Sequence, residues 1–206
     1  MQRFFLSQFW NDLFILSAII AFFFPGFLIN SQNWSQWVLI QVFLFSIQGL
    51  IFGRRTSRTL FSKPTIYQLF QSFGLLALLV LVSFFVSGIL SFYGVEAKPL
   101  KNLDSWDFWA WSIFLLSPLR EELFFRGLLL ETLREKSAPK WLGIALQALV
   151  FSLAHGLSIA NLTPLISGVL LGFWAWKNPG QTPLLTAIHL LHNLIILFFT
   201  YFQRIV

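Results

Sequence analysis

Arg120-Glu121-Glu122-Leu123-Phe124-Phe125-Arg126 lies inside one of the most hydrophobic stretches of a very hydrophobic chain. Charge in such a setting is costly: one Asp, Lys or Arg at mid-membrane costs roughly 2.5 to 3.5 kcal/mol on insertion scales. The chain has only 8 acidic residues among 206, and two of them stand side by side here. An intramembrane ionisable residue is read first as a functional site, so this run decides both the class of fold and the place to look for chemistry.

Composition sets the frame around it. The chain is 57% hydrophobic and 11% charged, with a mean hydropathy of +0.74. Soluble domains carry roughly 25% charged residues, so a soluble globular fold is excluded. The length suits one membrane domain over 1–206, an all-α polytopic transmembrane bundle of about seven spans (six to eight), at about 20 residues per span. The absence of cysteine removes disulfides, thiolate nucleophiles and thiolate-bound metals. The net charge of +6 sits in short loops between apolar runs. Membrane topology explains it, and a nucleic-acid partner is not expected.

Working outward, apolar runs predict spans at 11–29, 35–53, 66–94, 105–133, 141–157, 162–177 and 182–202. Met1-Gln2-Arg3 resembles a signal-peptide start, but no small-residue cleavage site follows, so the first run reads as a retained span. Punctuation comes from Asn30-Ser31-Gln32-Asn33, the basic loop Arg54 to Pro64, the connection Glu96 to Asp104, and Lys177-Asn178-Pro179-Gly180. Asn161 and Thr182 read as helix N-caps, the latter ahead of Pro183. The run 66–94 is long for one span, which suggests tilt or a re-entrant piece. With seven spans and a cytoplasmic N-terminus, the inner side carries Arg3, Arg54, Arg55, Arg58, Lys63, Arg134, Lys136, Lys140 and Lys177, and the outer side only Lys98, Lys101 and Arg204. Positive-inside topology favours that orientation.

All three histidines, His155, His189 and His192, fall on predicted spans in the apolar C-terminal half. Intramembrane polar groups turn toward one another or toward water, so they are expected to converge with the carboxylates. At about 100° per residue, Glu122 and Arg126 share a helix face and form an ion pair, which leaves Glu121 rotated away and free. Pro118 disturbs the helix one turn earlier and offers water a way in. His189 and Asn193 are again four apart, as are Phe151 and His155.

A buried carboxylate serves as a general base, a histidine holds a water against it, and a second histidine with an asparagine amide stabilises an oxyanion. One carboxylate and two histidines also make the ligand set of a catalytic zinc with an open water position. Both readings lead to hydrolysis of a peptide bond. No serine sits in a nucleophile-elbow pattern.

Glu121-Glu122-x-x-x-Arg126, then Phe151-x-x-x-His155, then His189-x-x-x-Asn193 resemble the motifs of the CAAX protease and bacteriocin-processing (CPBP, or Abi) family of intramembrane endopeptidases. The likeness covers roughly 105–200, making 105–202 the catalytic core and 1–104 a set of N-terminal helices of unassigned role. It implies that Glu121 and His155 activate water, that His189 and Asn193 stabilise the oxyanion, and that Glu122 and Arg126 support the first motif. It implies either no cofactor or one divalent metal such as Zn2+, held in that case by Glu121, His155 and His189. The partners implied are the lipid bilayer and a membrane-bound peptide or protein substrate. His192 is outside the pattern and reads as packing. The alternative is a non-catalytic membrane partner, an immunity or assembly factor, on the same fold. A transporter is a third class, but the repeated halves that would mark one are missing.

Other features read as membrane architecture. Tryptophans at span ends (Trp10, Trp34, Trp37, Trp106, Trp109, Trp174, Trp176) suggest an interfacial belt. Gly168-x-x-x-Gly172 suggests close internal helix packing.

Overall fold

A computed structural model describes residues 62–95, 106–155 and 159–202, all within the compact unit Arg58–Val206. The expected spans 11–29 and 35–53, most of the basic loop and the 96–104 connection lie outside the described residues. Among the described residues every regular element is helical and there is no strand.

Local chemistry sets the ends of α1, Ile66–Phe92. Thr65 Oγ1 accepts the Gln68 amide at 3.2 Å while Gln68 Oε1 accepts the Thr65 amide at 2.8 Å, a reciprocal capping box. At the other end Gly94, at φ 72°, turns the chain so that Val95 N–H bonds Leu90 O and Gly94 N–H bonds Ser91 O. Between these caps 27 residues run without interruption, about 40 Å of helix. The 66–94 run is therefore one tilted-length helix, not a re-entrant piece.

Asp107 caps α2, Phe108–Glu122, by accepting the Ala110 amide at 2.8 Å. The rod continues as a π-helical stretch, Leu123–Leu130, and ends in one α-helical turn, Glu131–Glu135. There Arg134 pairs with Glu131 at 2.6 Å, as suits a solvated helix end. α3 spans Lys140–Ala154, α4 spans Leu162–Lys177 after a short 3-10 turn at Ile159–Asn161, and α5 spans Thr182–Phe202. α1 and the Thr182–Tyr201 stretch of α5 are long and apolar enough to cross a membrane.

Asn161 holds the N-cap position of α4, as expected, although its side chain makes no capping bond and its Nδ2 donates to Ser152 O at 3.4 Å. Two sequence expectations need correction. Gln181, not Thr182, precedes α5, because Gln181 O receives the first helical bond, from Leu185 N–H at 3.0 Å. Trp174 is 7% exposed and belongs to a core with Leu75, Leu79, Leu171, Leu185 and Ile188, so it is no belt residue. Its turn of α4 faces α1 and α5 instead of the interface.

α3 and α4 pack most extensively, and glycines make this possible. A Cβ on Gly168 would lie 3.1 Å from Ala148 Cα, and one on Gly172 would collide with the Gln147 side-chain amide. The backbones approach closely enough for Gln147 Nε2 to donate to Gly168 O at 2.6 Å. Inside a lipid phase apolar contact gives little driving force, so such close packing and interhelical hydrogen bonds hold the bundle.

Candidate active site

Pro118 is buried inside α2. It cannot supply the amide that would bond the Phe114 carbonyl; Ser117 Oγ donates to that oxygen instead, at 3.4 Å. Five residues on, at Leu123, the helix widens into the π-helical stretch, a device common at functional sites. Phe124, Phe125, Arg126, Gly127, Leu128 and Leu130 are all buried there, because α3, α4 and α5 all pack against this stretch. The charged motif thus runs through the centre of the bundle.

Glu122 is 0% exposed and Arg126 2%. Arg126 Nη1 donates to Glu122 Oε1 at 2.8 Å, the i,i+4 pair that the sequence suggested. The same oxygen lies 2.7 Å from His189 Nδ1. Because a carboxylate accepts and does not donate, Nδ1 carries the proton. Arg126 also stacks on Phe151, with Cζ 4.5 Å from the ring centre, a cation–π contact in a dry setting. Its Nε and Nη2, and Glu122 Oε2, are buried without a hydrogen-bond partner.

Glu121 is not turned away from this cluster. Its Oε2 lies 3.9 Å from His189 Nε2, so one imidazole is bracketed by both acids. The straight-helix estimate of 100° per residue separates the two side chains too far for a helix that is about to widen. The two carboxylates differ in access: the Glu121 side chain is 11% exposed and that of Glu122 0%. At 3.9 Å the Glu121–His189 contact is too long for a direct hydrogen bond.

His155 sits elsewhere. α3 stops at Ala154, three residues short of the expected span end, and His155 is the exposed residue just beyond it. Its Nδ1 lies 2.8 Å from Phe151 O, so Nδ1–H donates and Nε2 is left with its lone pair. No hydrogen bond or ion pair joins it to Glu121. The Phe151 ring contacts both histidines, 4.7 Å from the His155 ring and 6.0 Å from that of His189, centre to centre.

Asn193, one turn beyond His189 on α5, accepts from His192: Nδ1 to Oδ1 is 3.2 Å. His192 is buried, and its Nε2 lies 2.9 Å from Ser83 Oγ on α1. Ser83 is a polar contributor that the sequence did not single out; its one signal was a hydroxyl in a long apolar run.

The zinc alternative, Glu121 with His155 and His189, does not fit these positions. Among the described residues no three His, Asp or Glu side chains converge as metal ligands. The Nδ1 hydrogen bonds of His189 to Glu122 and of His155 to a main-chain carbonyl leave both Nε2 atoms available, so it is the separation of the side chains, not their hydrogen bonding, that leaves the ligand set unassembled.

Residues 104–195 match the family model described as type II CAAX prenyl endopeptidase Rce1-like. No curated protein and no solved structure matches the chain. The matched segment opens just ahead of α2 and closes within α5, and so takes in both acids, Arg126, Phe151, all three histidines and Asn193. With those motifs in order across its helices, the segment 104–195, somewhat under half of the chain, is similar to the type II CAAX prenyl endopeptidase (Rce1-like) family of integral membrane proteins.

Proposed function

We propose that the chain is a multi-pass intramembrane endopeptidase, with a cytoplasmic N-terminus, that hydrolyses peptide bonds of membrane-associated substrates. Glu121 is the general base. The observation that carries this reading is the contrast between the two acids: Glu122 is sealed and doubly hydrogen-bonded, whereas Glu121 is buried beside His189 yet retains an exposed edge. Among the described residues the Glu121 carboxylate makes no direct side-chain hydrogen bond, and the nearest imidazole nitrogen is 3.9 Å away.

In this mechanism a water beside Glu121 gives its proton to the carboxylate as its oxygen attacks the scissile carbonyl carbon. The developing oxyanion lies against α5, facing His189 and the Asn193 amide. His189 donates from Nε2 when it carries both ring protons, with Nδ1–H held on Glu122. Collapse breaks the C–N bond, and Glu121 returns its proton to the leaving amine. His155, at the rim behind Phe151, guides water or substrate into the same space. Every step uses groups of the chain itself. The family description speaks of prenyl substrates; the polar cluster argues for peptide hydrolysis and leaves the lipid portion of the substrate open.

The test compares wild type with Glu121→Ala and His155→Ala, purified in detergent, on a peptide library and on isolated membranes. Loss of cleavage in Glu121→Ala with retained helicity is expected. Equal cleavage by all three proteins would overturn the mechanism.

A further inference from the structure

We infer that Ser83 and His192 are positioning residues that fix the orientation of the Asn193 amide, which extends the reading of Asn193 as an oxyanion donor and rests on it. Asn193 Oδ1 can only accept a hydrogen bond, so the His192 nitrogen 3.2 Å away, Nδ1, carries the proton. In a neutral ring Nε2 then has the lone pair, and Ser83 Oγ, 2.9 Å away, donates its hydroxyl proton to it; the opposite tautomer, with Nε2–H donating to Ser83 Oγ or to the nearby Leu79 carbonyl, would leave Nδ1 with no proton for Asn193 Oδ1. The result is a directional chain, Ser83 to His192 to Asn193. It ends by holding the amide oxygen on His192, which leaves the amide N–H groups, on the other branch of the planar amide, free to donate. Asn193 Nδ2 has no hydrogen-bond partner among the described residues.

The direction matters because a free asparagine side chain can rotate by half a turn and exchange donor for acceptor. An oxyanion is stabilised by the first and repelled by the second, and preorganised donors are worth most in a site from which water is excluded. Asn193 shares a face of α5 with His189, where both carboxylates meet the imidazole. Locking its amide therefore presents a donor on the side where the oxyanion forms.

The anchor of this chain is firm. Ser83 follows the fully buried Leu79 by one turn of α1, and Leu79 packs in the core that joins α1 to α4 and α5. Ser83 and His192 are both buried and are 109 positions apart. Ser83 also lies outside the family-matched segment 104–195. α1 thus contributes a polar group to the site besides filling the membrane. Simple packing of His192 would need neither bond.

Two measurements test the inference. The first needs no activity: in detergent, with asparagine side chains labelled with 15N, wild type shows one sharp pair of Asn193 amide resonances and histidine 15N shifts place the His192 proton on Nδ1. In Ser83→Ala the Asn193 pair broadens or doubles, and in Ser83→Thr it is restored. A His192 proton on Nε2, or Asn193 resonances unaltered in Ser83→Ala, overturns the inference whatever the catalytic outcome. The second measurement is kinetic. Ser83→Ala and His192→Phe each lower kcat about tenfold or more with KM little changed, and neither lowers it further in an Asn193→Ala background. A full additional loss in that background overturns positioning in favour of a purely structural role. Absence of peptide cleavage by wild type counts against the proposed protease function, while the resonance measurement still decides the orientation of Asn193.

Discussion

His189 Nδ1 lies 2.7 Å from Glu122 Oε1, on a carboxylate that has no exposed surface and also receives Arg126 Nη1 at 2.8 Å. One acid thus orients the imidazole and neutralises the guanidinium. Glu122→Gln removes the charge paired with Arg126 and leaves the buried guanidinium only the more distant Glu121 carboxylate. Breaking a buried pair in this way costs about 3–5 kcal/mol, so the variant is expected to melt well below wild type in detergent. Replacing both partners, Glu122→Gln with Arg126→Met, is expected to recover most of that loss. Cleavage by the double variant stays impaired, because His189 has lost the carboxylate that fixes its tautomer. A single variant as stable as wild type by circular dichroism melting would show that the pair does not hold the helix.

Glu121 predicts the opposite pattern. It makes no direct hydrogen bond to His189, since the separation is 3.9 Å, so Glu121→Gln removes little from the fold. It removes the base, and general-base assistance is worth roughly 10²–10⁴ in rate. Cleavage is expected to fall by that order with the melting temperature within a few degrees of wild type. Parallel loss of stability and activity would assign Glu121 to the structure instead.

Gly172 tests the close approach of α3 and α4. A Cβ there collides with the Gln147 amide, which donates to Gly168 O at 2.6 Å and to Ile144 O at 3.2 Å. Gly172→Ala displaces Gln147 and strands polar groups, at about 1–3 kcal/mol. Shortening the obstructing side chain relieves the collision, so Gly172→Ala combined with Gln147→Ala is expected to be more stable than Gly172→Ala alone. Additive destabilisation in a double-mutant cycle would contradict the contact.

Much of this architecture is written in the sequence because it depends on short-range chemistry. α4 occupies the predicted 162–177 and α5 the predicted 182–202, since apolar runs and the Asn178-Pro179-Gly180 turn mark both ends. The Glu122–Arg126 pair follows from spacing alone. What escaped depends on long-range packing. No residue pattern announces an i→i+5 turn, so the widening at Leu123–Leu130 was invisible, and with it the turn of both acids toward His189. Ser83 is one hydroxyl among several on α1, and only the arrival of His192 from 109 residues away distinguishes it. Trp174 looks interfacial beside Lys177 until the packing of α1 covers it. His155 was placed within a span because the apolar run extends past Ala154, where the helix itself stops.

The donor geometry also bears on metal removal. A catalytic zinc needs three protein ligands around an open position, at about 2.0–2.2 Å for nitrogen and oxygen. Here Glu122 Oε1 is shared by Arg126 and His189, and among the described residues no three His, Asp or Glu side chains converge as metal ligands. Gathering Glu121, His155 and His189 round one ion would require moving His155 toward the two acids. Cleavage by the purified protein is therefore expected to survive prolonged dialysis against a strong chelator, with metal content measured on the same sample. The same preparation should lose activity on Glu121→Gln. Loss of cleavage on dialysis, restored by zinc in proportion to the metal bound, would mean that His155 does make that move and that the resting arrangement of Glu121 and His189 is not the working one.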